Sequence, residues 1–247
     1  MKQKILIITI LLLGFVKTTF SQEFNKNIDK DSLFLTVLKG IPEEKREEFK
    51  RIYEKENEES KEFLLFMLSM PRSSKKELVD NYKNKVQAIT TLKNEYVKLV
   101  PDSLIVSIEF NPENRVISTP ESIDLKIYRK NPNGQSVVVK EEWNLEKESD
   151  QLKEILTLLG WNQNTLSKIK ALLDSANCIS VENGSNKTTI GFARSGMGKY
   201  YYLVFNENLT ENEIERYNDN CTYIFYKDNI VLEYGSGATG SLCFPDE

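Results

Sequence analysis

The sequence predicts an α+β protein, with an N-terminal helical hairpin followed by a mostly antiparallel sheet that has helices packed on one face. Two observations support this fold class. Apolar residues recur at helical spacing up to Pro101, and from Leu104 onward they alternate with other residues at a period of two. We therefore divide the chain into a signal peptide (1–21), a helical hairpin region (22–101) and an α+β domain (102–247) that ends in a β-meander.

Residues 1–21 have the composition of a cleaved signal peptide. Two lysines precede an apolar run over residues 5–16, and the small residues Thr19 and Ser21 stand where signal peptidase selects its substrates. The run is too short to cross a hydrocarbon core, which needs about 20 apolar residues. We therefore expect a periplasmic or secreted protein with no membrane span after cleavage.

Two long helices are predicted within residues 22–101. Ser74 and Glu77 form a capping box that starts the second helix, because each side chain accepts a hydrogen bond from the other residue's backbone amide. A short turn containing Pro71 separates the two helices, so we expect them to pack as an antiparallel hairpin. The second helix carries one apolar stripe: Leu78, Tyr82, Val86, Ile89, Leu92, Tyr96 and Leu99.

Three strands are predicted between residues 104 and 145. The turn at residues 131–134 joins the second strand to the third, and Gly134 suits the left-handed position of a three-residue hairpin loop. This loop length sets the predicted register. It pairs apolar residues across the hairpin, Ile127 with Val139 and Ile123 with Trp143.

Two amphipathic helices and the meander complete the predicted domain. Leucine and isoleucine recur at helical spacing over residues 152–176, and Gly160 is placed to end the first of these helices. A short capped helix is predicted at residues 210–217. The predicted meander strands cover residues 178–183, 187–194, 199–206, 221–227 and 230–235.

The three cysteines, Cys178, Cys221 and Cys243, allow at most one intrachain disulfide. We favour a bond that involves Cys243, because it would pin a glycine-rich tail onto the sheet. The alternative is three reduced cysteines that are buried as small apolar residues.

The absence of histidine excludes several chemistries. It removes Ser-His and Cys-His nucleophile pairs, proton shuttling by imidazole, and the usual zinc ligand sets. We predict no metal, no cofactor and no catalytic residues. The segment Gly196–Lys199 superficially matches a phosphate loop, but it joins two strands and no Ser or Thr follows the lysine, so we interpret it as a hairpin turn.

Glu233 is the best single candidate for carboxylate chemistry. A two-residue hairpin at Asp228 and Asn229 would place Glu233 opposite Ile224 and beside Val231. An apolar setting of this kind raises the pKa of a carboxyl group. The alternative is that Glu233 is a solvated strand residue.

The charge of the chain argues against nucleic acid as a partner. The net charge is −4 for the full sequence, and it becomes −7 when the three lysines of residues 1–21 are removed. From Pro101 onward, 14 basic residues stand against 22 acidic ones. Binding to phosphates requires clustered lysine and arginine, which an acidic domain of this kind lacks.

The tyrosines suggest a binding surface. A four-residue loop at 195–198 would place Ala193 opposite Tyr200 and Gly191 opposite Tyr202. One face of the sheet would then carry Ile190, Phe192, Tyr201, Leu203 and Phe205 and meet the helices of 151–176. The other face would carry Tyr200, Tyr202 and, from the terminal hairpin, Tyr226. The alternative is that other parts of the chain cover this second face.

Three functions follow as hypotheses. The first is a non-catalytic protein that binds an envelope glycan, a peptide or a protein partner through Tyr200, Tyr202, Tyr226 and the loop that ends at Lys199. The second is a histidine-free hydrolase of glycans or peptides that uses two carboxylates. The third is an assembly protein that acts through the helical hairpin at 42–100.

Overall fold

The structure is a computed structural model that describes residues 24–130, 136–236 and 240–245. The predicted signal peptide at 1–21 and the predicted turn at 131–134 lie outside these residues. Contacts within the chain divide it into two compact units. The first unit comprises residues 24–70 together with residues 113–120, and the second comprises the rest of the described residues.

The described part of the first unit contains three helices, α1 (Lys30–Leu38), α2 (Glu43–Lys55) and α3 (Glu58–Ser69). Side-chain caps start two of them, because Asp29 accepts a hydrogen bond from the Ser32 amide and Asn57 accepts one from the Ser60 amide. A separate apolar cluster holds the unit together, and it includes Phe34, Leu38, Ile41, Tyr53 and Leu65.

The longest helix, α4 (Lys75–Leu99), belongs to the second unit. The predicted capping box of Ser74 and Glu77 is present at its start. The sequence prediction paired this helix with the preceding ones. In the structure its buried stripe, which includes Leu78, Ile89 and Tyr96, is part of the sheet's main core.

A single antiparallel sheet forms the rest of the second unit's framework. The strands are β1 (Leu104–Asn111), β2 (Ser122–Lys130), β3 (Ser136–Leu145), β4 (Ser180–Asn183), β5 (Lys187–Ser195), β6 (Gly198–Phe205), β7 (Tyr223–Lys227), β8 (Ile230–Ser236) and β9 (Gly240–Ser241). Their order in the sheet is β3-β2-β1-β4-β5-β6-β8-β7, with the short β9 paired to β8. Every pairing is antiparallel, which confirms the predicted α+β class.

Three further helices complete the second unit, α5 (Asp150–Leu159), α6 (Gln163–Ala176) and α7 (Glu211–Arg216). Gly160 ends α5 with a φ of 66°, as predicted. Helices α4, α5 and α6 share one apolar core with one side of the sheet, which we call the helix face. The opposite side, which carries Glu109, Tyr201 and Glu233, is the outer face.

The register between β2 and β3 is only partly as predicted. Near the turn, Tyr128 lies opposite Val138, and this pair has the predicted register. Farther from the turn, two bulges shift the pairing. Ile127 lies opposite Lys140, and Ile123 lies opposite Leu145 instead of Trp143. The predicted apolar pairs are therefore wrong, because each bulge adds a residue to one strand. The side chain of Trp143 is largely exposed, and the Lys126 ammonium lies 3.9 Å from its ring centre.

Candidate functional site

The predicted tyrosine surface does not lie on the outside of the molecule. Tyr200 and Tyr202 are completely buried, each with 0% exposure. The Tyr202 hydroxyl accepts a hydrogen bond from the Asn81 amide at 3.1 Å, within the core. Tyr226 is partly buried, and its ring centre lies 5.5 Å from that of Tyr82. The prediction that these three tyrosines line an exposed binding surface is therefore wrong.

A β-bulge in β5 changes which residues share a face with the tyrosines. Ala193 lies opposite Tyr200, as predicted, but the register shifts between Gly191 and Ala193. Beyond the shift, Gly191 lies opposite Tyr201 and Ile190 opposite Tyr202. Ile190, which the prediction places on the face of Tyr201, therefore shares the face of Tyr202. That face meets the helices, so Tyr200 and Tyr202 belong to the core and Tyr201 lies on the outer face.

The loop at 195–199, which we predicted to bind a partner, forms hydrogen bonds with another segment of the same chain. The Gly196 amide donates a hydrogen bond to the Pro71 carbonyl oxygen at 2.8 Å. The Ser195 hydroxyl donates one to the Ser73 carbonyl oxygen, also at 2.8 Å. This turn therefore holds the segment that leads into α4.

Lys199 extends over the outer face of the sheet instead of pointing away from the turn. Its ammonium pairs with Glu109, which also accepts Arg194 at 2.6 Å. Gly191 lies beneath the lysine, where an added Cβ would overlap the Ser180 hydroxyl and stand 3.3 Å from the Lys199 Cδ. Burial lowers the pKa of Lys199, although Glu109 opposes this shift. Lys199 is therefore held by a structural ion pair.

Glu233 lies on the outer face, opposite Tyr223 and not opposite Ile224. A register shift near the turn, between Phe225 and Lys227, moves it by one residue. Burial raises the pKa of Glu233, and the negative charge of Glu182 raises it further. The predicted direction of this pKa shift is confirmed, although the predicted neighbour is wrong.

The clearest concave site is a cleft of about 600 Å³ on the second unit. Its walls come from the segment Ser73–Asn84 at the start of α4, the segment Asp174–Ile179 that includes the end of α6, and Phe192 and Ala193 of β5. These segments are far apart in the sequence, and none carries a recognisable motif. Sequence reasoning therefore missed the cleft.

A buried amide network forms one wall of the cleft. The Asn81 side chain donates both of its hydrogens, to the Ala176 carbonyl oxygen at 3.1 Å and to the Tyr202 hydroxyl at 3.1 Å. Its Oδ1 accepts a hydrogen bond from the Asn177 side chain at 3.2 Å. Asn177 has a left-handed backbone, φ 52°, which ends α6 at this point. The network therefore fixes α4 against the end of α6.

Three carboxylates line the cleft, those of Glu77, Asp80 and Asp174, and no lysine or arginine is among its lining residues. A hydrogen bond from Lys76 lowers the pKa of Asp80, so this group is ionised at neutral pH. Asp174 pairs with Lys170 on the surface of α6. The cleft therefore presents negative charge to an entering molecule.

Two of the three cysteines form a disulfide, and the third lines this cleft. Cys221 and Cys243 form a disulfide, which confirms the predicted involvement of Cys243. Cys178 is free and buried, and it lines the cleft. Burial raises the pKa of the Cys178 thiol to about 12, so it is neutral and a poor nucleophile.

Metal sites and membrane spans are not found in the part of the chain that the structure describes. No group of three or more acidic or cysteine side chains there is placed to hold a metal ion. None of the helices over residues 24–130, 136–236 and 240–245 is both long and apolar enough to cross a bilayer.

The chain matches no protein-family model, and comparison with curated proteins and with solved structures found no similar protein.

Proposed function

We propose that this chain is an exported, non-catalytic binding protein of the cell envelope that holds a small polar ligand in the cleft. The observation that carries the proposal is the cleft itself. Its volume of about 600 Å³ falls within the range of small-molecule sites. Such sites combine an apolar lining with a few fixed polar groups, and both are present here.

The cleft supplies both kinds of contact. Ile179, Phe192 and Ala193 are apolar lining residues, and Phe192 belongs to the main core, so its position is fixed by packing. The Asn81 amide is fixed by three hydrogen bonds. A site whose groups are held in place before binding loses little conformational entropy when a ligand arrives.

Two features support an exported location. The composition of residues 1–21 is that of a signal peptide. The disulfide between Cys221 and Cys243 is typical of proteins in oxidising compartments. Envelope glycans and peptides are therefore the ligands to test first.

The test is to block the cleft without disturbing the fold. Asn84 is exposed on α4 and lines the cleft, so Asn84→Trp is expected to fill its mouth. Lys85→Trp is the matched control, because Lys85 is exposed on the same helix and is not a lining residue. Native mass spectrometry with a soluble digest of peptidoglycan should show a bound species for the wild type and for Lys85→Trp. It should show none for Asn84→Trp.

Equal binding by both tryptophan variants would remove the cleft as the binding site. Absence of any bound species with the digest, with envelope oligosaccharides and with short peptides would count against a binding function. Both variants should unfold at the wild-type temperature, since each changes an exposed side chain.

A histidine-free hydrolase is a second proposal, which rests on a different observation. Glu182 and Glu233 are both largely buried on the outer face, and burial raises the pKa of each. A carboxyl group whose pKa is raised by burial is a candidate for general acid catalysis. Activity on peptidoglycan or on peptides that is lost in Glu233→Gln, with the fold intact, would support this function. Activity that survives the substitution would contradict it.

A further inference from the structure

We infer that the ligand of this cleft carries a primary ammonium group beside an aliphatic or sugar portion, an inference that rests on the proposed binding function. Three properties of the cleft point to this chemistry. They are the sign of its ionisable groups, the helix end that borders it, and its excess of hydrogen-bond acceptors. Each can be read from the residues that line the walls.

The charges on the cleft walls are all negative. Glu77, Asp80 and Asp174 are acidic, and the remaining titratable residue on the walls, Cys178, is neutral because burial raises the pKa of its thiol. Exchange of water for an anionic ligand in such a site would place like charges together. A cationic ligand would instead be attracted by the three carboxylates.

The carboxyl end of α6 borders the cleft and strengthens this preference. Helix carboxyl ends carry partial negative charge and are normally complemented by lysine, arginine or histidine in the last turn. The last turn of α6 has no basic residue, and Asp174 lies there instead. A ligand ammonium placed near Asn177 would therefore supply the positive charge that this helix end lacks.

The lysines that pair with two of these carboxylates do not prevent ligand binding. Lys76 pairs with Asp80 and Lys170 with Asp174, but their side chains are 78% and 46% exposed. Neither lysine lines the cleft. Exposed ion pairs of this type contribute little to stability, so a bound ammonium can displace them at small cost.

The cleft also offers more acceptors than donors. Both hydrogens of the Asn81 amide are already donated within the protein, whereas its oxygen keeps a lone pair beyond the bond from Asn177. Carboxylates accept hydrogen bonds only, and an ammonium group donates three. The phenyl ring of Phe192 and the Ala193 methyl provide an apolar surface for the rest of the ligand.

The experiment compares two amine-bearing probes with a neutral one, using the complete mature chain. Spermidine represents a free polyamine, and a trisaccharide of glucosamine represents an amino sugar of an envelope glycan. The N-acetylglucosamine trisaccharide is matched in shape but lacks the charge. Isothermal titration at neutral pH and low salt should show binding of at least one amine probe, with affinity at least about tenfold above that of the neutral trisaccharide. Which amine binds more tightly distinguishes the two sources.

Two isosteric substitutions test the carboxylates. The double variant Asp80→Asn, Asp174→Asn is expected to weaken binding of the preferred amine at least about tenfold. Asp150→Asn is the matched control, because Asp150 also pairs with a lysine on an exposed helix surface but lies outside the cleft, and it should leave the affinity unchanged. Thermal unfolding of each variant checks that the fold is retained.

The outcomes separate this inference from the function on which it rests. A neutral trisaccharide that binds as tightly as the preferred amine, full affinity in the double variant, or failure of both amines to bind would overturn the ammonium assignment. If Asn84→Trp still abolishes binding of a neutral ligand, the cleft remains the binding site and only the ligand class is wrong. If Asn84→Trp leaves amine binding unchanged, the cleft is not the site, and both proposals fail.

Discussion

Lys199 reaches Glu109 across two strands of the sheet. Lys199 lies on β6 and Glu109 on β1, and both β4 and β5 stand between them in the strand order. Neighbouring strands are about 4.8 Å apart, so the two backbones are separated by roughly 14 Å. The lysine and glutamate side chains span this distance together, and the residues beneath them, Ser180 and Gly191, are small.

Gly191→Ala is expected to destabilise the second unit by about 1–3 kcal/mol, because the added methyl group overlaps the Ser180 hydroxyl and crowds Lys199. Urea unfolding followed by tryptophan fluorescence measures this change. Gly40→Ala is the control, since a Cβ there meets only one backbone atom at 3.5 Å and should cost little. If the Gly191→Ala protein unfolds at the same urea concentration as the wild type, the open space beneath Lys199 is not required for stability.

Tyr202→Ala is expected to reduce the free energy of unfolding by about 3–5 kcal/mol, because it removes a fully buried aromatic ring. Tyr202→Phe should cost about 1–2 kcal/mol, because the lost hydroxyl donates to the Leu78 carbonyl oxygen at 2.7 Å. Tyr201→Phe is the control on the neighbouring, partly exposed residue and should have a smaller effect. A stable Tyr202→Ala protein would contradict the core position of this side chain.

Glu233→Gln is expected to stabilise the protein at about pH 8 and to have little effect at about pH 4. Burial raises the pKa of Glu233 above its usual 4.5, so its protonated form favours the folded state. The group therefore contributes stability below pH 4.5 and loses it as the pH rises through the folded-state pKa. Urea unfolding at the two pH values measures the difference.

Glu95→Gln is the control, because it is expected to change the free energy of unfolding in the opposite direction. Hydrogen bonds from Lys98 and Lys168 lower the pKa of Glu95 to about 2, so its ionised form favours the folded state. Its substitution should reduce stability at about pH 8, although only slightly because the group is exposed. The burial of Glu233 would be contradicted if both variants changed stability in the same direction at that pH.

Replacement of both Cys221 and Cys243 by alanine is expected to reduce the free energy of unfolding by roughly 3 kcal/mol, because the bond closes a loop between residues 22 apart. Denaturant unfolding with and without a reducing agent provides the measurement. Reduction should destabilise the wild type but not the double variant. A wild-type protein that responds to reductant no more than the variant would argue against this disulfide.

The α+β class, the start of α4 and the end of α5 could be predicted from the sequence, because local physics decides them. The capping box of Ser74 and Glu77 and the left-handed Gly160 act within a few residues of each helix end. Helical and strand periods are likewise local properties of the chain. The odd cysteine count and the glycine-rich tail also led to the correct partner, Cys243, in the disulfide.

The tertiary structure decided which side of the sheet each tyrosine occupies and where a ligand can enter. One bulge in β5 places Ile190 on the face of Tyr202 instead of the face of Tyr201, and no turn or composition signal in the sequence marks it. A strand carries side chains alternately on two faces, so a register error of one residue reverses every later assignment. The cleft is formed by three segments, around Asn81, Asn177 and Phe192, that come together only in the folded chain. A local sequence pattern does not predict which distant segments will be neighbours.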